Sequence, residues 1–349
     1  MQAAKNINEV SDYRQQFKKL KPMKRKTIIH VLIAGALFLS ACQKNTDIFV
    51  PDPGQLNGPD TTWQNSVTAA MPVSILKESL LFEPYNDSID VNSNIASVLT
   101  PSGLQVTFPP NCCVNGAGQT ITGRVQVELM LVKKKGDMIR LSKPTTYNDS
   151  LLVSAGEIFI KLKKNGQAVQ LAPGVKINIR YADIPTNLLM KFFAGDETDP
   201  ERFNWRPNTD LLNNFINIGT QAYEIYTNHL RWINVAYVFD LNSTAKVNVI
   251  AGLAPYFTNA NTVAFTVFND YRSVAGMYGN INTRKFSTGK LPVGKAITVV
   301  VISKQGNDYF LGYESAVTQI ATAGNTNQTV LVKPIKKSLP EILSYLSTL

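Results

Sequence analysis

The sequence predicts a mainly β chain: tandem antiparallel β-sandwich domains closed by a short C-terminal helix. Three observations carry this. Short runs alternate apolar and polar residues, most clearly at 121–132, where Val125, Val127, Leu129 and Leu131 face one way and Arg124, Gln126, Glu128 and Met130 the other. Period two is the pattern of a strand with one buried face. The runs are joined by turn formers, Pro101-Ser102-Gly103, Asn115-Gly116 and Lys164-Asn165-Gly166, suited to tight turns and positive φ. Many short strands with such links point to a sandwich.

The chain begins with a segment that is not part of that fold. Lys24, Arg25 and Lys26 precede an apolar run at 28–39, the length of a signal-peptide core and too short to span a bilayer. Leu39-Ser40-Ala41-Cys42 follows and resembles a lipobox. The expectation is cleavage between Ala41 and Cys42, with lipid on Cys42. Two or three acyl chains on one residue anchor firmly where one does not. Met23 is the expected start, with 1–22 an extension outside the native protein. From Gln43 to about Ser66, closely spaced Pro and Gly read as a flexible tether.

This reading changes the charge. The formal net charge is +10, but eight of the 35 Lys and Arg and two of the 25 acids precede Cys42, leaving 27 and 23 and a net of +4. That argues against a nucleic-acid binder. His30 falls in the signal, so His229 is the one histidine of the mature chain, which excludes a multi-His metal site. Cys112 and Cys113 form a vicinal pair, expected as two half-buried thiols at a strand end, the alternative being a vicinal disulfide that would strain the intervening peptide. No cofactor and no metal site is expected. Lys133-Lys134-Lys135 reads as a solvated loop.

Further strands are expected at 97–100, 104–108, 157–162, 168–171 and 175–181. The segments Thr100 to Pro110 (TPSGLQVTFPP), Ile121 to Glu128 (ITGRVQVE), Ser154 to Ile160 (SAGEIFI) and Leu171 to Ile179 (LAPGVKINI) resemble, in order, a ZU5-type β-sandwich, in the version carried by uncharacterised lipoproteins of Bacteroidetes. The likeness covers about 94–183 and places the domain at 67–185. It implies an interaction or scaffold module. Some ZU5 proteins cleave themselves at a His-Phe-Ser site; here His229 is followed by Leu230 and Arg231, so that activity does not carry over.

Residues 186–242 read as a connecting β region, with strands at 191–194 and 230–239. Its acidic loop, Asp196-Glu197-x-Asp199, lacks the ligand ladder and central glycine of an EF-hand. A second sandwich, Ig-like or transthyretin-like, is expected at 243–335, with strands at 247–250, 263–268, 297–302, 309–313 and 329–332. Ser338 and Glu341 then frame a capping box for a helix within 336–349.

No nucleophile elbow, P-loop or dinucleotide fingerprint is present. The expected function is a lipid-anchored, non-enzymatic envelope protein that binds a protein or glycan partner, at the outer membrane and facing the periplasm, with the cell surface as the other location. The alternative is a glycan hydrolase with an unrecognised carboxylate pair. Candidate glycan-binding aromatics are Trp205, Tyr223, Tyr226 and Trp232, against the alternative that they pack in the core. Candidate O-glycosylation acceptors are Thr61, Ser88 and Ser150, each next to an aspartate and resembling the Asp-Ser/Thr-apolar acceptor of Bacteroidetes.

Overall fold

In a computed structural model, the chain is described over residues 61–92, 94–148, 150–199, 201–239, 245–320 and 324–349. In chain order come α1 (Pro72–Leu80), β1 (Tyr85–Asp90), β2 (Ala96–Leu99), β3 (Gln105–Phe108), β4 (Cys113–Val114), β5 (Arg124–Val132), α2 (Lys135–Arg140), β6 (Thr146–Tyr147), β7 (Ser150–Lys164) and β8 (Gln167–Leu171). Next are β9 (Ile177–Ala182), β10 (Lys191–Asp196), β11 (Asn204–Pro207), β12 (Phe215–Ile218), β13 (Ala222–Thr227), β14 (Arg231–Val238), β15 (Lys246–Gly252) and β16 (Thr262–Phe268). Last are β17 (Val274–Asn280), β18 (Lys285–Pro292), β19 (Ala296–Gln305), β20 (Asp308–Val317), β21 (Asn327–Leu331), β22 (Ile335–Lys337) and α3 (Leu339–Ser347).

These strands form three sheets. A nine-stranded sheet runs β1-β5-β7-β14-β10-β11, with the short β4, β6 and β8 attached. A five-stranded sheet, β12-β13-β9-β3-β2, packs on its inner face. The alternation in β5 does what the sequence predicts: Val125, Val127 and Leu129 are fully buried in that core, together with Val106, Phe108, Ile158, Ile160, Ile179 and Ile225. Lys164-Asn165-Gly166 closes the β7–β8 hairpin with Asn165 at φ 51° and Gly166 at φ 78°, the two left-handed residues of a type I′ turn. In the Asn115 turn, the left-handed residue is Gly118 rather than Gly116.

The third sheet, β21-β15-β18-β17-β16-β19-β20-β22, has one parallel pair, β15 with β21, and is otherwise antiparallel. It curls around its own core of Val249, Ala264, Phe268, Met277, Val299 and Val301. Its other face meets the outer face of the nine-stranded sheet through Val263, Phe265, Val300 and Ile302. This explains the unbroken apolar run TVAFTVF: all seven residues of β16 are buried because both faces are covered.

The domain boundaries expected from sequence are corrected. Residues 186–242 are not a connector, since they supply β10, β11 and β14 to the first sheet and β12 and β13 to the second. β14 lies between β7 and β10, so a boundary at 185 would strip β7 of its partner on that side. The tether ends earlier than residue 66: Trp63 packs on Phe286 at 5.1 Å, and Gln64 exchanges backbone bonds with the Asn259 side chain at 2.9 and 2.8 Å.

α1 starts with Pro72 in its first turn, where a missing N–H costs nothing. It buries Val73, Leu76 and Leu80 in the layer between the first and third sheets. The lysine run is not a solvated loop. Lys134 caps α2, Lys135 donates to the carbonyls of Phe268 and Asn269 at 2.7 and 3.1 Å, and Lys133 pairs with Asp183 at 2.7 Å. α3 carries the expected capping box: Ser338 accepts from the Glu341 amide at 3.4 Å, and the Glu341 carboxylate accepts from the Ser338 amide at 2.8 Å. The helix docks on α2, where an added Cβ on Gly136 would sit 1.7 Å from the Leu346 carbonyl oxygen. Tyr345 also stacks on Tyr313 of β20, at 4.4 Å and 10°. Cys112 and Cys113 are free and fully buried rather than half-buried, with their sulfurs 3.4 Å apart. No helix among the described residues is long and apolar enough to cross a membrane.

Candidate ligand-binding cleft

The acidic loop leaves β10 at Gly195, where any side chain would collide: a Cβ would lie 2.5 Å from the Trp232 Cβ and 2.9 Å from Phe203. That close approach lets the loop fold over the aromatic layer beneath it. Each acid then has its own partner. Asp196 accepts from the Thr198 hydroxyl at 2.7 Å and pairs with Arg206 at 2.6 Å. The Thr198 hydroxyl, then its amide and Arg206, outweigh burial and hold the Asp196 carboxyl below the usual carboxylate range. Asp199 accepts the amides of Glu201 and Arg202 at 2.8 and 3.1 Å. Glu197 takes a bidentate pair of bonds from Arg231, each 3.0 Å. The three acids do not converge, and no group of three or more His, Cys, Asp or Glu among the described residues could hold a metal ion.

Between this loop and the third sheet lies a cleft of about 500 Å³, within the roughly 300–1,000 Å³ typical of small-molecule sites. One wall is Thr146, Asn148, Ser150 and Asn204; the other is Asn280, Ser287 and Lys290 from β17 and β18. Asn148 and Asn204 bind each other reciprocally. The Asn148 amide nitrogen donates to the Asn204 side chain at 3.0 Å, and Asn204 Nδ2 returns a bond at 3.2 Å. Tyr278 stands at the inner end, its hydroxyl over Gly276, where a Cβ would come within 2.9 Å. Burial pushes its phenol up to about 12, with Arg202 acting against the shift. The lining is thus rich in amides and hydroxyls, and its carboxylates are already engaged.

No family model matches the chain, and no curated protein matches it.

The residues singled out from sequence are dispersed. Ala41 and Cys42 lie outside the described residues. Of the four aromatics, Trp205, Tyr223 and Trp232 are buried, so no exposed platform forms. Trp205 donates its indole N–H to the Pro144 carbonyl at 2.9 Å, and Trp232 packs on Phe159 at 5.0 Å. The Tyr223 hydroxyl accepts the Asn187 amide at 2.7 Å. These rings are large enough to fill two cores, and that use wins. Tyr226 alone faces outward, stacked on Phe215 at 5.1 Å and donating to Glu224 at 3.0 Å. Thr61 is half-buried. Ser88 is half-buried on β1 and its hydroxyl accepts from Arg124 at 2.7 Å. Ser150 opens β7 and lines the cleft. His229 is half-buried against the edge of Phe192 at 6.3 Å. Burial lowers its pKa, partly opposed by a backbone bond at Trp232 and by Glu197. Its buried Nε2 has no hydrogen-bond partner.

The most unusual ionisable group was not anticipated. Glu157 lies on β7 opposite Asn234, wholly buried, and neither carboxyl oxygen has a hydrogen-bond partner. Burial raises its pKa well above the usual range, with Lys143 opposing. Lys143 itself sits over the rings of Phe203 and Trp232, at 3.9 and 5.3 Å, and 3.9 Å from Glu197. Burial pushes its ammonium down to about 8 against the pull of Glu197 and Glu157. A lone acid inside the apolar run SAGEIFI was the available signal.

Proposed function

We propose that this chain is a lipid-anchored envelope protein that acts by binding a neutral glycan in the cleft between its first and third sheets. The single observation behind this is the cleft's lining. Paired asparagines, serine and threonine hydroxyls suit a ligand that is itself a dense array of hydroxyls. A glycoside hydrolase needs a carboxylic acid kept protonated to serve the leaving group. Asp196 is held the other way, ionised, and Asp199 is spent on backbone amides. Binding without cleavage is therefore the reading the carboxylates favour. The lipobox-like stretch Leu39 to Cys42 supports a lipid anchor, and the ZU5-like resemblance of about 94–183 supports an interaction module; the location that goes with this reading is the outer membrane, facing the periplasm.

The decisive experiment is a glycan array followed by calorimetry on the best neutral oligosaccharide. Replacing Asn148 and Asn204 together with alanine is expected to weaken binding at least tenfold. Binding unaffected by that pair, or release of a shortened sugar, would overturn the proposal. Mass analysis of the N-terminal peptide tests the anchor, the expected species being a diacylated or triacylated Cys42.

A further inference from the structure

Beside the polar cleft, and sharing Arg202, Phe203 and Tyr278 with it, lies a second, smaller pocket of about 120 Å³. Part of its wall is apolar. Val73 of α1 faces Val263, Phe265 and Met277 of the third sheet. Two cations line it, Lys77 and Arg202. Among the described residues, neither side chain's charged nitrogens have a carboxylate within 4 Å, the Asp199 carboxylate being bound to the Arg202 backbone amide instead. The guanidinium of Arg202 rests over the Tyr278 ring at 5.0 Å. The one acid in the lining, Glu201, gives an oxygen to the Val67 amide at 3.2 Å. Lys77 is thus a largely enclosed ammonium without a counter-ion in contact. Burial lowers its pKa, and the more distant Glu201 only partly offsets this.

A pocket with an apolar wall and two cations against one acid has a definite chemical complement. An anion placed against Lys77 would restore the charge balance that burial removes, while its hydrocarbon part would fill the walls. The volume sets the size: a cavity of about 150 Å³ admits a benzene ring, so this one takes a single ring or a short branched chain. We infer that the pocket between α1 and the β16–β17 hairpin binds a small organic carboxylate, with its acid group against Lys77 and Arg202 and its apolar part against Val73, Val263 and Met277. This site differs in chemistry from the amide- and hydroxyl-rich cleft next to it, with which it shares Arg202, Phe203 and Tyr278.

The test is an NMR titration of the full-length chain with benzoate, following the amides of Gly276 and Gly279, which line the pocket. Benzamide, similar in shape but uncharged, is the control probe. Saturable shifts with benzoate, and binding at least tenfold weaker for benzamide, are expected. Lys77→Met keeps the apolar stem and removes the charge, and is expected to weaken benzoate at least tenfold. Arg202→Gln, at an exposed position on the pocket rim, is a second variant that leaves the helix untouched and should weaken benzoate severalfold. Equal affinity for benzoate and benzamide, retained benzoate affinity in both variants, or no saturation with benzoate would each overturn the inference.

Discussion

The two faces of the nine-stranded sheet are built on different terms. The inner face holds no carboxylate or ammonium: Val125, Val127, Leu129, Ile158, Ile160 and Val235 meet the five-stranded sheet, and the polar atoms buried with them are the Tyr181 and Tyr223 hydroxyls and the Cys112 and Cys113 thiols. The outer face is just as covered, by α1, α2, α3 and the third sheet, yet it holds Glu157, Asn234 and Lys143 among Trp205, Trp232, Phe159 and Phe193. An isolated carboxyl in such a place costs several kcal/mol if charged, so burial favours its neutral form. The difference shows that complete coverage need not mean a dry, apolar interior. The inner core is held mainly by area, and the outer layer adds a carboxyl and an ammonium whose charge depends on pH.

The comparison can be broken most strongly on the inner face. Leu129→Ala should cost about 2–5 kcal/mol in urea denaturation, with the same loss at acid and neutral pH. A pH-dependent loss would remove the distinction between the faces. On the outer face, Gly136→Ala forces a methyl onto the Leu346 carbonyl, an overpacking cost of about 1–3 kcal/mol or more. Hydrogen exchange should then show lost protection in α3 and unchanged protection in β5 and β7. Equal loss in all three would mean that the two faces fail as one.

Glu157→Gln sharpens the contrast through pH. The folded chain keeps a proton on Glu157 that the unfolded chain releases above the ordinary value of 4.5. Stability therefore falls as pH rises from there through the raised folded pKa. The glutamine variant escapes that fall, so its free-energy advantage over the wild type widens with pH by at most about 1.4 kcal/mol for each pH unit, read as a growing Tm difference. Lys143 works in the opposite sense at higher pH. Its folded pKa of about 8 lies below the ordinary 10.5, so stability rises across that window. A Tm difference that stays constant with pH would acquit Glu157. The smallest effect belongs to Ser338→Ala, which removes one half of the capping box and should cost about 1 kcal/mol, seen as a small Tm shift that leaves both sheet faces intact.

Legibility in the sequence follows the same division. β5 was readable because its alternation answers to one buried face, and the β7–β8 turn because Asn165-Gly166 has few other uses. α3 was readable from Ser338, Glu341 and the stripe Leu343, Leu346 and Leu349 that follows them. β1 was missed because YNDSID is nearly all polar and buries only Ile89 fully. β12, β13, β17 and β18 were missed because their pairing is set by distant strands rather than by their own pattern. The cleft was not readable at all, since Asn148, Asn204 and Asn280 are ordinary turn residues until three separate segments meet. The aromatics misled because a tryptophan's size serves a core as well as a sugar face.

The position of β14 has a consequence for how the chain is made. β7 pairs with β5 residues 25 to 37 positions behind their partners and with β14 residues 71 to 86 positions ahead. Until Val238 has left the ribosome, the longest strand among the described residues has a free edge, and Glu157 on it faces water as an ordinary ionised acid. An unpaired edge is a template for the wrong partner. The charge that is a burden in the finished protein is thus, during synthesis, a repulsive mark on the very strand most in need of one.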